Sequence, residues 1–431
     1  MNDSTPILTL DRPEQRESAR QNFIGGSFYK SLMLNALKEM KRGSLEMRFP
    51  DGTRRLFGEG NNANVAQIRV VNPVFFRKCA LFGDIGFGES YVNGDWETGS
   101  ISRVIEWFIL NLEDSPSISG SKRRKLGVNL LNLANKMIHG LRPNDLNGSR
   151  NNIEEHYDLS NDFFRAFLDP GMTYSCAYFE SPDQNLQDAQ TAKYDRLCRK
   201  LRLNPQDRVL EIGSGWGGFA VHAAKNYGCK VMTITISEEQ YRYVSQRIKD
   251  EGLGARVRIE FMDYRMVRGK FDKIVSIEML EAVGEKYLET YFETCHRLLK
   301  KDGLLGIQVI TCPDSRYDLL RKNVDWIQKH IFPGSLLPSI SRLNQALNRT
   351  GDLFLHHLED MGHCYSRTLS EWSKAFNSRI PQVKSLGFDS RFIRKWNYYL
   401  SYCEAAFRMR NISVVQAIYT RPNNSTLSVV P

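Results

Sequence analysis

Between residues 208 and 311 the chain alternates short apolar runs with segments of helical spacing. The apolar runs are RVLEIG (208–213), KVMTITI (230–236), RVRIEFMD (256–263), KIVSIEM (273–279) and GLLGIQVIT (303–311). A helical stretch, GWGGFAVHAAKNY, follows the first run, and another begins at Ser237 after the second. Strands separated by helices predict a parallel, doubly wound sheet, because a parallel pair needs a crossover that a helix supplies. A last run, SVVQAIYT (413–420), is expected to close the sheet edge antiparallel. Ahead of it, between 313 and 400, lies a long, aromatic-rich insertion.

The N-terminal part has a different pattern. Residues 1–20 are polar and read as disordered. Residues 21–112 mix strand-like runs (SLEMRFPDG, AQIRVVNP) with glycine-containing turns and end in an apolar helix near 101–112, which predicts a small α+β domain. Turn-rich stretches, EDSPSISGSK and RPNDLNGSRNN, bracket a linker over 113–151, and the main α/β domain is expected over 152–431.

Charge adds a possible surface role. Lys plus Arg is 59 and Asp plus Glu is 49, a net charge of +10 that favours anionic partners such as nucleic acid or an anionic membrane. The one local cluster is Lys122, Arg123, Arg124 and Lys125, opening a segment with Leu126, Leu130, Leu133, Ala134, Met137, Ile138 and Leu141. That is the pattern of a basic amphipathic helix suited to a membrane surface. A linker helix packed on its own protein has the same stripe. No apolar run reaches the roughly 18 residues of a membrane span. The N-terminus lacks the basic start and apolar stretch of a secretory signal, so a cytoplasmic, peripherally membrane-associated protein is expected. Eight scattered cysteines without CxxC spacing suggest neither a disulfide framework nor a metal site.

The candidate chemistry begins at the turn after the first strand, Glu211-Ile-Gly-Ser-Gly-Trp-Gly-Gly218. Glycines there allow a tight turn and close approach of a ligand. A GxGxxG pattern alone also fits a dinucleotide site. The acid directly before Ile-Gly-Ser-Gly points instead to S-adenosylmethionine, and Asp263-Tyr264 after the third strand suits an adenine. The second strand ends in Thr235-Ile236-Ser237-Glu238-Glu239-Gln240, without the usual ribose-binding acid at its tip, so Gln240 is the candidate for the ribose hydroxyls. Glu238 and Glu239 also fit as ordinary first-turn helix acids.

Further stretches make a family resemblance: EEHYDLSNDFF (154–164), DPGMTYSCAYFE (169–180), VLEIGSGWGGFA (209–220), TISEEQ (235–240), EMLEAVGEKYLETYF (278–292) and HIFPGSLLPS (330–339). Together they resemble the cyclopropane-fatty-acyl-phospholipid synthase family, which includes the mycolic acid cyclopropane synthases. GESYVNGDWET (88–98) extends the likeness into the small domain. The resemblance implies a Rossmann-like, seven-stranded α/β methyltransferase fold whose insertion forms an acyl-chain tunnel. It implies transfer of the sulfonium methyl of S-adenosylmethionine to the cis double bond of an unsaturated phospholipid acyl chain. A bound bicarbonate then removes a proton from the new methyl as the ring closes. The cofactor contacts carried over are Tyr174, Ser175, Gly213, Gly215, Thr235, Ile236, Gln240, Asp263 and Tyr264, beside Glu211. The bicarbonate shell carried over is the Cys176 backbone, Glu281, the Ile310 carbonyl and the Tyr365 hydroxyl. Implied partners are unsaturated phospholipid acyl chains and an anionic membrane surface, without nucleic acid. The oligomeric state stays open, a homodimer included.

An alkene has no proton to lose before attack, so the chemistry needs orientation and a dry site for a cation rather than an activating base. Aromatic faces suit such a charge, although most rings of this chain are expected in the core. Glu281 also fits as a helix N-terminal acid, and Tyr365 as a core tyrosine. Cys176 has no base beside it in sequence, which argues against covalent catalysis. One departure stands out: Gln308 occupies the place where the family usually has a His, and an amide donates a hydrogen bond but carries no charge. His363, close to Tyr365 in sequence, is a candidate to compensate. The alternatives are a methyltransferase that leaves a methyl or methylene branch, and a non-enzymatic lipid- or nucleic-acid-binding protein. The intact cofactor motif and Glu281 disfavour the latter.

Overall fold

A computed structural model describes residues 27–60, 65–112 and 159–427. The basic cluster at 122–125 and the first part of EEHYDLSNDFF lie outside these residues. The chain forms two compact units. In the smaller, strands β1 (Leu45–Arg48), β2 (Arg54–Phe57), β3 (Ala66–Val70) and β4 (Trp96–Glu97) form a sheet of order β2-β1-β3-β4. Alternate residues of β1 and β3 point inward, so Leu45, Met47, Ala66, Ile68 and Val70 are buried. Trp96 is fully buried against the rings of Phe87 and Tyr91.

The helix Ile101–Leu110 was expected within the small domain, yet Ile101–Ile109 groups with the larger unit. Its Ser102 hydroxyl donates to Glu404 at 2.7 Å, and Glu106 pairs with Arg408 at 2.6 Å.

The larger unit is built on a seven-stranded sheet of order β10-β11-β9-β8-β5-β6-β7. Strands β5 (Arg208–Ile212), β6 (Lys230–Thr235), β7 (Val257–Phe261), β8 (Phe271–Ile277) and β9 (Leu299–Thr311) run parallel, as their patterning predicted. Both faces are covered. Leu210, Ile274, Leu305 and Ile307 enter one apolar core, while Val209, Val231, Val257, Val275 and Leu304 enter the other. Two buried faces are why these strands read as continuous apolar runs. Truncating one such side chain, as in Leu210→Ala, costs about 2–5 kcal/mol.

The expected edge is different. Strand β11 (Ser413–Thr420) is antiparallel, but it sits inside the sheet between β9 and β10. The edge is β10 (Phe354–Asp360), a strand within the insertion that the sequence reading missed. Its residues FLHHLED are mostly exposed and lack apolar alternation. The rest of the insertion is helical, chiefly Ile340–Thr350, Gly362–Ser378 and Ser390–Arg408.

Candidate active site

The carboxyl ends of parallel strands are where α/β sheets bind ligands, because turns and helix N-termini converge there. In the turn after β5, Gly213, Gly215 and Gly217 all have positive φ, of 93°, 47° and 85°. The N–H groups of Gly213 and Ser214 donate to the Ile234 carbonyl at 3.1 and 2.9 Å, which fixes the turn to β6. A Cβ on Gly213 would lie 3.1 Å from Met279 Cγ, whereas one on Gly215 would meet nothing within 4 Å. Gly215 therefore faces open space. Beneath the turn, Glu211 is 2% exposed and its Oε2 has no hydrogen-bond partner. Burial pushes its pKa up to about 8. A buried acid with one unpartnered oxygen beside an open glycine turn fits the polar methionine end of S-adenosylmethionine.

At the end of β6, the Thr235 hydroxyl donates to Gln240 Oε1 at 2.8 Å, and Ser237 caps the helix Glu238–Asp250. Ile236 lies between them, half-buried. Glu238 and Glu239 are ion-paired with Arg242 on the surface, the first-turn role anticipated as an alternative. After β7, Tyr264 is buried edge-on to Tyr291. Asp263, expected to meet an adenine, is engaged by Arg265: Nε donates to Oδ1 and a terminal nitrogen to Oδ2, both at 2.7 Å. Arg265 is a residue of this corner that the sequence reading did not mark. Tyr174 bonds the Tyr399 hydroxyl at 2.8 Å, and its ring lies 5.2 Å from Trp372 and 5.4 Å from Phe164. Ser175 accepts a hydrogen bond from Lys193 at 2.7 Å.

The residues expected to hold bicarbonate do converge, but around a side chain. The Cys176 N–H and the Gln308 amide both donate to Glu278 Oε1 at 2.8 Å. The Tyr365 hydroxyl donates to Glu278 Oε2 at 2.6 Å. Three donors expected to serve a bound anion thus serve Glu278, and bicarbonate does not fit the cradle as built. Glu281 stands beside it. Its Oε1 accepts the Ile310 N–H at 2.6 Å. Glu281 Oε2 is buried without a partner. Burial, reinforced by the charge of Glu278, pushes the Glu281 pKa up to about 8. Burial also raises Glu278, but its three donors and Lys193 oppose the shift. Near pH 7 Glu281 is therefore mostly the neutral acid, while the donors around Glu278 favour its charged form against burial.

Gln308 is held in register: its Oε1 accepts from Gln416, its cross-strand neighbour on β11, at 3.1 Å. The Cys176 thiol is buried, raised well above the ordinary thiol range by burial, and donates to the Ala177 carbonyl at 3.2 Å. It is no nucleophile. His363 is exposed, contacts Cys364 and takes no part in the cradle.

Sequence reasoning missed two charged residues here. Glu278 ends a strand run, a position where the strand-end rule marks ligand sites. Lys193, on the helix Leu186–Lys200, is fully buried, with its pKa lowered to about 8 by burial. Nothing in the local sequence distinguishes it from a surface lysine.

Comparison with known proteins follows this geometry. The family described as mycolic acid cyclopropane synthetase matches residues 144–417. Cyclopropane-fatty-acyl-phospholipid synthase of Escherichia coli K12 is 37% identical over 86% of this chain and 91% of its own length. Tuberculostearic acid methyltransferase of Mycobacterium tuberculosis is 35% identical over 84% of this chain and 86% of its own. Among solved structures, the cyclopropane synthase MmaA2 from Mycobacterium tuberculosis is 30% identical with a TM-score of 0.59, covering 63% of this chain and 98% of that one. The mycolic acid cyclopropane synthase CmaA1, solved with SAH and CTAB, is 32% identical with the same TM-score and coverage.

Proposed function

We propose, because this chain belongs to the mycolic acid cyclopropane synthetase family, that it is a cyclopropane-fatty-acyl-phospholipid synthase. It is an S-adenosylmethionine-dependent transferase, and the cofactor supplies the electrophilic methyl group. Its own residues perform the rest. The glycine turn, Glu211, Thr235 and Gln240 would hold the cofactor at the carboxyl ends of the strands. The buried rings of Phe164, Phe167 and Trp372 and the half-buried ring of Tyr174 exclude water and present π faces to a transient cation. The observation that carries the reading is the placing of a carboxylate cradle and a glycine turn on adjoining strand ends, β8 and β5.

The substrate proposed is the cis double bond of an unsaturated phospholipid acyl chain at an anionic membrane surface. No helix among the described residues is long and apolar enough to cross a membrane. A net charge of +10 supports peripheral binding instead. The reading leaves room for a homodimer and needs no nucleic acid.

A branched product is the second reading. The relative named as a tuberculostearic acid methyltransferase is almost as similar as the synthase, and the acid in the cradle bears on where the proton goes. Proton NMR of lipids from expressing cells decides. Ring methylene protons resonate far upfield of chain signals. A new vinyl or branched-methyl signal without the upfield signal replaces the first reading by the second.

A further inference from the structure

We propose that Glu278 is the built-in proton acceptor of this enzyme, and that turnover does not use a bound bicarbonate. The inference deepens the reading above and rests on it. Its ground is the hydrogen-bond census of the cradle. The Cys176 N–H, the Gln308 amide and the Tyr365 hydroxyl come from three distant segments and all end on one carboxylate. Oε1 takes two donors and Oε2 takes one, so Oε2 keeps a lone pair for a proton.

A second observation is independent of those contacts. Glu278 has φ of +49°, in the left-handed region that side-chain-bearing residues seldom adopt. Its N–H donates to the Gln308 carbonyl at 2.8 Å, which locks that backbone to the end of β9. A long acid held in a conformation natural to glycine is strain kept at a functional site. A glycine there would relieve it and leave the three donors facing an empty, anion-sized space.

The proton step balances without any further reactant. After methyl transfer the substrate carries a new methyl beside a cationic carbon. A C–H bond of that methyl breaks and its proton passes to Glu278 Oε2. The bond's electron pair forms the new carbon–carbon bond to the cationic centre, which closes the ring. Glu278 becomes a neutral acid and returns the proton to water between turnovers. A C–H next to a carbocation is strongly acidic, so a carboxylate is base enough. Glu281, with one oxygen on the Ile310 N–H, is the neighbour whose neutral form lets Glu278 keep the charge.

Three measurements test this on the full-length protein. Carbon-13 NMR with labelled bicarbonate reads occupancy without turnover: wild type shows no binding, and Glu278→Gly, which the backbone favours, gains it. Turnover is then measured in carbon-dioxide-depleted buffer with and without added bicarbonate. Wild type keeps its rate, while Glu278→Gly is nearly inactive and is rescued by bicarbonate. Glu278→Gln keeps cofactor affinity by calorimetry and loses about 100-fold or more in kcat. Bicarbonate binding by wild type equal to that of Glu278→Gly overturns the proposal. So does a wild-type rate that collapses on depletion, or a Gln variant with normal kcat. A wild type that alkylates no lipid under any condition defeats the functional reading instead, and the NMR arm still decides whether Glu278 fills the cradle.

Discussion

At the scale of single residues, Gly215 and Glu211 give the sharpest tests of the cofactor site. Gly215 has positive φ and open space where a Cβ would go. Gly215→Ala therefore costs the fold only about 1–2 kcal/mol of left-handed strain, and its methyl enters the space left for the ligand. Calorimetry is expected to show S-adenosylmethionine binding weakened about tenfold or more, at least 1.4 kcal/mol. Unchanged affinity would move the cofactor away from this turn. Gly213 is the poorer probe, because a side chain there also strikes Met279. Glu211 offers a pH signature. Its pKa is raised by burial from the usual 4.5 to about 8 in the folded chain. The folded state thus holds a proton that the unfolded state has lost. This contribution to stability is complete below about pH 4.5 and is lost as pH rises through about 8. The loss runs at up to about 1.4 kcal/mol per pH unit in that window. Glu211→Gln mimics the protonated acid, so cofactor-free melting curves of variant and wild type should agree at pH 5, with the variant melting higher at pH 8. Parallel pH profiles would mean that Glu211 finds a charge partner. Both residues were legible in the sequence, because glycine spacing and a preceding acid are local. Glu278 was not. Its meaning depends on a backbone angle and on donors at positions 176, 308 and 365, none of which a local motif displays.

At the scale of elements, legibility followed burial. Strands β5 to β9 carry apolar residues on both faces, and their runs stood out. Strand β10 is an edge strand that exposes Phe354 and Leu358 as well as His356, His357 and Asp360, and the lack of apolar alternation removed its signal. What fastens it is an ion-pair cluster. Glu359 of β10 accepts from Arg196 Nε at 2.6 Å and pairs with Lys200, both on the helix Leu186–Lys200. Lys200 also donates to Gln416 at 2.7 Å, which links the cluster to the network behind Gln308. The two cations hold the Glu359 pKa down at about 2, against the opposing effect of burial. A depressed acid stabilises the fold above its unfolded pKa of 4.5, and that contribution is lost as pH falls through about 2. The group is partly exposed, so solvent screening reduces the benefit to about 1 kcal/mol. Glu359→Gln is expected to lower the melting temperature by a few degrees at pH 7 and to increase hydrogen exchange of the β10 amides selectively. Uniform exchange across the sheet would show that β10 is held by its pairing to β11 alone.

At the scale of the whole molecule the question is how a protein with no described membrane-spanning helix reaches acyl chains. The recruitment proposed above rests on charge: 59 basic against 49 acidic residues, with Lys122, Arg123, Arg124 and Lys125 in one run. Each basic residue near an anionic surface contributes about 1 kcal/mol, and the attraction decays within a Debye length of about 8 Å at physiological salt. Four basic residues consecutive in sequence are therefore the first place to test for such an attraction. Reversing them to Glu removes four attractions and adds four repulsions, changing the net charge from +10 to about +2. Sedimentation with vesicles of mixed phosphatidylglycerol and phosphatidylcholine should show wild type bound at low salt and released as salt rises. The fourfold variant should bind at least tenfold more weakly, while S-adenosylmethionine affinity is unchanged. Turnover on vesicles should fall in the variant, and turnover on detergent-dispersed lipid should not, since dispersed substrate needs no recruitment. Equal vesicle binding by both proteins would assign the run to internal packing and leave recruitment to the charge spread over the rest of the chain.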